Sequence, residues 1–245
     1  LPTIAHASTK DAIGLAAKYY ANTLSAHLMQ IAGQNDSLSV MNAYKEESLF
    51  ALRQLQLADG SFAWWPGMRG SFYVTVAVTE MLQRLNMMLG EQTSTKKLLT
   101  NSMKFMAGEV SKHVEVLKHL EAKKYDNLLP SEADMQYLYI CAMRKEGLNH
   151  PDNKYLLGLV EKRPALFTIY GKAMMSVILA RNGNVKLAKE HLESLKQYMV
   201  YTDEMGRYFD TKRASYSWFD YRIPTEVAAI EAIKMVTPED KKTVS

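Results

Sequence analysis

The sequence predicts an all-α fold built from antiparallel helical hairpins. Glycine and proline are scarce, 12 and 7 in 245 residues. They gather between long segments whose apolar residues recur at i, i+3, i+4 and i+7. Most of the connections between those segments are short, which makes consecutive helices antiparallel neighbours. The first helix is expected from about Ser8, where Ser8-Thr9-Lys10-Asp11 has the form of a capping box. Ile13, Ala16, Ala17, Tyr20, Leu24, Leu28 and Ile31 then form one stripe up to Gly33. Asp36 is placed to cap a second helix with the stripe Leu38, Met41, Tyr44, Leu49, Leu52 and Leu55. The same periodicity predicts helices over about 72–90, 94–122, 131–146, 152–160, 164–182, 184–201 and 224–236. Ser131-Glu132-Ala133-Asp134 supplies a cap, and Gly147 and Gly183 supply stops. The segment Ser71–Val78 is β-branched enough for a strand, but Val74, Val78, Met81, Leu82 and Leu85 continue one helical stripe, so helix is expected.

Composition narrows the function classes. A mass of 27.8 kDa suffices for a sizeable core without disulfides or metals. Mean hydropathy is -0.22, and no apolar run approaches the length of a membrane span. Lys and Arg exceed Asp and Glu by 30 to 26, and the charges alternate in sign along the helices. No basic stripe tracks a phosphate backbone, so nucleic acid is not an expected partner. The single cysteine, Cys141, lies in the apolar run Tyr137–Met143 and is expected to pack in the core.

Two loops interrupt the helices and resemble each other. The first is Asp59-Gly60-Ser61-Phe62-Ala63-Trp64-Trp65-Pro66-Gly67-Met68-Arg69-Gly70-Ser71. The second runs from Met205-Gly206-Arg207-Tyr208-Phe209-Asp210 through Ser217-Trp218-Phe219-Asp220-Tyr221-Arg222. Each leads into an apolar helix with an acid at the matching place, Glu80 and Glu231. Such a repeat implies similar units packed side by side, each unable to bury its apolar face alone. Here the unit is a helical hairpin with a loop over one end of a barrel of helices.

The stretch Gln56-Leu57-Ala58-Asp59-Gly60-Ser61-Phe62-Ala63-Trp64-Trp65-Pro66-Gly67, followed by Tyr73-Val74-Thr75, resembles the α/α-toroid domain of the bacterial branch of the alpha-2-macroglobulin family. Asp-Gly-aromatic turns also occur in terpenoid cyclases and prenyltransferases, which share the toroid; the Trp-Pro-Gly continuation favours the macroglobulins. The resemblance implies a ring of antiparallel hairpins over 1–245, a single domain excised from a longer multidomain protein and stopping before the ring's last hairpins. It also implies a periplasmic, envelope or extracellular setting, with other domains of the parent chain and proteases as partners. Many members carry a Cys-x-Glu-Gln thioester, and this sequence has none. Its equivalent stretch is about Ala7-Ser8-Thr9-Lys10, so a thioester-less, non-enzymatic inhibitor or interaction module is expected.

The remaining chemistry is sparse. Glu109/His113 and Glu115/His119 are i,i+4 pairs, but at about 100° per residue they fall on different helix faces and make no shared metal site. Neither metal nor cofactor is expected. The alternative reading is a carbohydrate-active toroid enzyme, a glycan hydrolase or lyase, with carboxylates drawn from Asp59, Glu80, Asp210, Asp220 and Glu231. The richest feature is aromatic: Phe62, Trp64, Trp65, Tyr73, Tyr208, Phe209, Tyr216, Trp218, Phe219 and Tyr221. Its packing reading is that the rings plug the mouth of the barrel. Its functional reading is an interdomain or partner surface anchored by Trp64, Trp65, Arg69, Tyr73, Trp218, Phe219 and Tyr221.

Overall fold

A computed structural model describes residues 9–162, 167–210 and 222–240. The chain is all-α. Among the described residues the helices are α1 (Ala12–Ile31), α2 (Asn35–Gln54), α3 (Phe72–Leu89), α4 (Lys96–Ala122), α5 (Glu132–Arg144), α6 (Pro151–Lys162), α7 (Ile169–Arg181), α8 (Val185–Lys196) and α9 (Arg222–Val236). Two small antiparallel hairpins accompany them, β1 (Phe62–Ala63) with β2 (Gly70–Ser71) and β3 (Met199–Thr202) with β4 (Gly206–Phe209). The helix expected at Ser71–Val78 is present as the start of α3. Ser71 caps it, its hydroxyl accepting from Val74 N–H at 3.4 Å.

The chain divides into two compact units, Leu1–His113 and Val114–Ser245. In the first, α1 packs on α2 and α3. Its core is Leu15, Ala16 and Tyr19 from α1, Leu49, Leu52 and Leu55 from α2, Val74, Val78, Leu82 and Leu85 from α3, and Leu98 and Leu99 from α4. Phe62, carried by the loop between α2 and α3, completes it. Burying each such Leu, Val or Phe contributes about 1.5–3 kcal/mol. In the second unit α7 is the hub, packing on α5, α8 and α9. Ten of its thirteen residues are buried, and apart from Lys172 and Ser176 these are apolar or glycine.

Several local expectations need correction. The cap of α1 is Asp11 rather than Ser8: the Asp11 carboxylate accepts from Gly14 N–H at 2.8 Å and from the Thr9 hydroxyl. Asp36 lies inside α2, whose cap is Gln34 with no side-chain bond. The Gln34 N–H closes the preceding turn on the Met29 carbonyl at 3.0 Å, so the chain has already turned into the helix at Asn35. Ser131 and Asp134 form the reciprocal capping box expected of them. The helix α5 stops at Lys145, itself left-handed, two residues before Gly147. The largest miss is the stretch 197–201, expected as the end of a helix. Val200, Tyr201 and Thr202 favour a strand and pair with β4 through Val200↔Tyr208 and Tyr201↔Arg207, so the helix ends at Lys196.

Candidate functional site

The loop between α2 and α3 is held at every level by bonds its own motif supplies. Asp59 folds back on the turn: one carboxylate oxygen accepts from Ser61 N–H at 2.9 Å and from the Ser61 hydroxyl at 2.6 Å. Those two bonds, the hydroxyl's first, hold its pKa below the usual carboxylate range. Gln56 ties the turn to α4, its amide donating to the Leu98 carbonyl at 2.9 Å and the Gly60 carbonyl at 3.3 Å and accepting from Asn101 at 3.3 Å. The Gln-x-x-Asp-Gly pattern is thus a clamp joining the end of α2 to the start of α4. Farther along, Ala63 N–H donates to Leu55 O at 2.9 Å and Ala12 N–H donates to Trp64 O at 3.0 Å.

Phe62 is the buried end of this loop, and its N–H donates to the Thr75 hydroxyl oxygen at 2.8 Å. The Thr75 hydroxyl in turn donates to the Ser71 carbonyl at 2.7 Å. Thr75→Val keeps the shape, strands the buried N–H of Phe62, and is expected to lower stability by about 1–3 kcal/mol. A shift of the urea midpoint without change in secondary structure measures it.

The rings that follow turn outward. Trp64, Trp65 and Tyr73 are 40%, 46% and 48% exposed, and Met68 and Arg69 stand out beside them. Trp64 and Tyr73 lie roughly parallel, centroids 6.4 Å apart at 22°. Phe62 is buried, whereas Trp64, Trp65 and Tyr73 keep close to half of their surface exposed. The difference is local: Phe62 and Ala63 sit in the strand pair that packs against α3 and both are buried, whereas Trp64 and Trp65 lie in the excursion between the two strands.

The second loop echoes the first in its described part. Phe209 is buried, and its N–H donates to a side chain of the following helix, Glu226, at 2.7 Å. Phe62–Thr75 and Phe209–Glu226 are the same device, and five residues on in each helix come Glu80 and Glu231. Trp218, Phe219 and Tyr221, with Tyr216 and Asp220, lie outside the described residues.

Of the acids weighed for catalysis, the four among the described residues are engaged. Besides Asp59, Glu80 accepts from Arg84 at 2.9 Å, and Glu231 takes a short hydrogen bond from the Tyr139 hydroxyl. Asp210 also has a partner. Glu109 pairs with Lys112 at 2.6 Å, while His113 meets the Phe72 ring edge-on at 5.3 Å. No group of three metal-ligating side chains occurs among the described residues. Cys141 is buried, and burial pushes its thiol up to about 11. It is expected to resist a disulfide reagent at pH 8 in the native protein and to react fully once unfolded, which a colorimetric thiol assay measures.

One feature of the second unit escaped the sequence. Lys172 and His191 are 3% and 1% exposed. Lys172 Nζ donates to the Ser194 hydroxyl at 2.8 Å and lies 4.8 Å from the Tyr198 ring centroid. Neither ring nitrogen of His191 has a hydrogen-bond partner among the described residues, and Phe167 lies against the ring at 6.4 Å. Burial, helped by the Lys172 charge, pulls His191 down to about 4. The signal was present in the stripe Ala188, His191, Leu192 and Leu195, which places the histidine on the core face of α8.

No family model matches the chain, and no curated protein matches it. No described helix is long and apolar enough to cross a membrane.

Proposed function

We propose that this chain is an α/α-toroid module of a thioester-less, alpha-2-macroglobulin-like protein of the cell envelope, and that it works through protein contacts rather than catalysis. The observation that carries this reading is the outward display of Trp64, Trp65 and Met68 on a loop bonded to α1, α3 and α4, with Tyr73 beside them on the first turn of α3. Large exposed rings on a fixed backbone lose little conformational entropy on contact, which suits them as anchors of an interface. The engaged state of Asp59, Glu80 and Glu231 supports a structural use for those acids. A second apolar surface, Ile223, Val227 and Ile230 at i, i+4 and i+7 on the outer side of α9, supports contact with other polypeptide. The partners of such a module are the neighbouring domains of its parent chain and proteases that the parent engages.

The test is protease protection by the full-length parent. It is expected to slow digestion of a large protein substrate by a bound protease while sparing a small chromogenic peptide, and the double variant Trp64→Ala/Trp65→Ala is expected to lose that protection. Absence of protection against serine, cysteine and metalloproteases alike would overturn the reading. So would polysaccharide cleavage by the chain that disappears in Asp59→Asn.

A further inference from the structure

Beside the tryptophan loop lies a cleft of about 660 Å³ between the last turn of α2, the chain entering α4 and the first turns of α4. Its charged lining is Arg53 and Lys97. Thr93, Ser94, Gln56 and Asn101 add neutral polar groups, and no Asp or Glu is among the residues that line it. The two acids nearest along the chain are turned elsewhere, Asp59 onto Ser61 and Glu91 onto Lys96 at 3.1 Å. Gln56 and Asn101 are consumed by the clamp described above, whereas the cations have donors to spare. Arg53 uses one Nη on the Ser94 carbonyl at 2.8 Å, which fixes the guanidinium plane and leaves its other N–H groups open. Lys97 is exposed and has no ion pair among the described residues.

On one side the cleft reaches the base of the tryptophan loop. Leu57 lines it, is itself exposed, and sits against Gly70, where a Cβ would lie 3.5 Å from Leu57 Cδ1. A ligand filling the cleft therefore meets two cations with no carboxylate among the described lining residues, together with the exposed side chain of Leu57. We infer that the cleft receives an acidic stretch of a polypeptide partner, its carboxylates against Arg53 and Lys97 and a neighbouring apolar side chain over Leu57. A planar guanidinium held by a backbone carbonyl suits carboxylate recognition. The adjoining apolar surface favours a peptide over a sulfated glycan, which has charge and no aliphatic side chain to place there. This inference rests on the reading of the loop as a protein-contact surface and names the chemistry of the partner.

The experiment uses the 245-residue chain and a fluorescein-labelled decapeptide alternating glutamate and leucine, followed by fluorescence anisotropy at low and physiological salt. Saturable binding is expected, weakening with salt, with at least a tenfold loss in Lys97→Glu and a comparable loss in Arg53→Gln. A lysine–leucine decapeptide is expected to leave the anisotropy unchanged. Lys97 is exposed and without an ion pair among the described residues, so its variant is expected to keep the native circular dichroism and report the site alone. Equal binding of the two peptides, or binding indifferent to Lys97→Glu, would overturn the inference. Dextran sulfate displacing the acidic peptide at lower concentration than unlabelled peptide would reassign the cleft to sulfated glycan and overturn it as well. Failure here with intact tryptophan-dependent protease protection would remove the acidic partner and leave the proposed function standing. Peptide binding without that protection would do the reverse.

Discussion

Gly60→Ala is expected to lower the thermal midpoint of the first unit by about 10 °C, corresponding to a loss of about 3 kcal/mol at this chain length. Two penalties act together. Gly60 sits at φ +92°, a conformation that costs an L-residue about 1–2 kcal/mol. In addition, a Cβ there would lie 2.3 Å from the carbonyl oxygen of Asn101, a backbone atom that cannot swing aside. Relief requires moving α4 away from the turn, which breaks the Gln56 bonds to Leu98 and Asn101. Gly67→Ala is the matched control, because its φ is +82° but nothing lies within 4 Å of the added carbon. It is expected to cost about 1 kcal/mol, the conformational part alone. Differential scanning fluorimetry of both variants separates the terms, and an equal fall in the two would show that the close approach to Asn101 contributes nothing.

The second large effect is a pH dependence centred on His191. Its folded pKa, about 4, lies below the ordinary value of 6.5 that the unfolded chain restores. Protonation therefore favours the unfolded chain: the native state is unaffected above about pH 6.5, loses stability as the pH falls from there, and stops losing once the buried ring itself titrates near pH 4. The difference amounts to about 3 kcal/mol over that window. His191→Leu keeps an apolar shape on the core face of α8 and removes the titration, so its stability is expected to be flatter between pH 6.5 and 4 than that of the parent sequence. Urea unfolding of both proteins at several pH values, followed by circular dichroism, measures the difference between the slopes, in which the shared acid response of the carboxylates cancels. Parallel slopes would show that the ring finds a partner when protonated. Lys172, which faces the same ring from α7, is the charge that makes such a partner hard to supply.

The helices were legible because their information is periodic and local. The stripe Leu49–Leu52–Leu55 and the box Ser131–Asp134 say where a helix lies and where it starts without reference to anything distant. The motif Gln56-x-x-Asp59-Gly60 was legible as a turn, because Asp59 and Gly60 make one from their own atoms. Its other half was not, since Gln56 reaches Leu98 and Asn101, which lie more than forty residues along the chain. The same divide separates the rings. Aromatic content marked the loop as unusual, yet only the short strand pair Phe62–Ala63 with Gly70–Ser71 decided that Phe62 turns inward while Trp64 and Trp65 face solvent.

Apolar periodicity, caps and turn residues act between neighbours, so the class of the fold, the order of its helices and the position of its two echoing loops are written along the chain. Which polar groups are buried, as Lys172 and His191 are, and which aromatic rings are displayed, as Trp64 and Trp65 are, emerges with the packing of distant segments. Burial and display depend on what packs opposite a residue, and that partner is chosen by the folded chain rather than by adjacent letters.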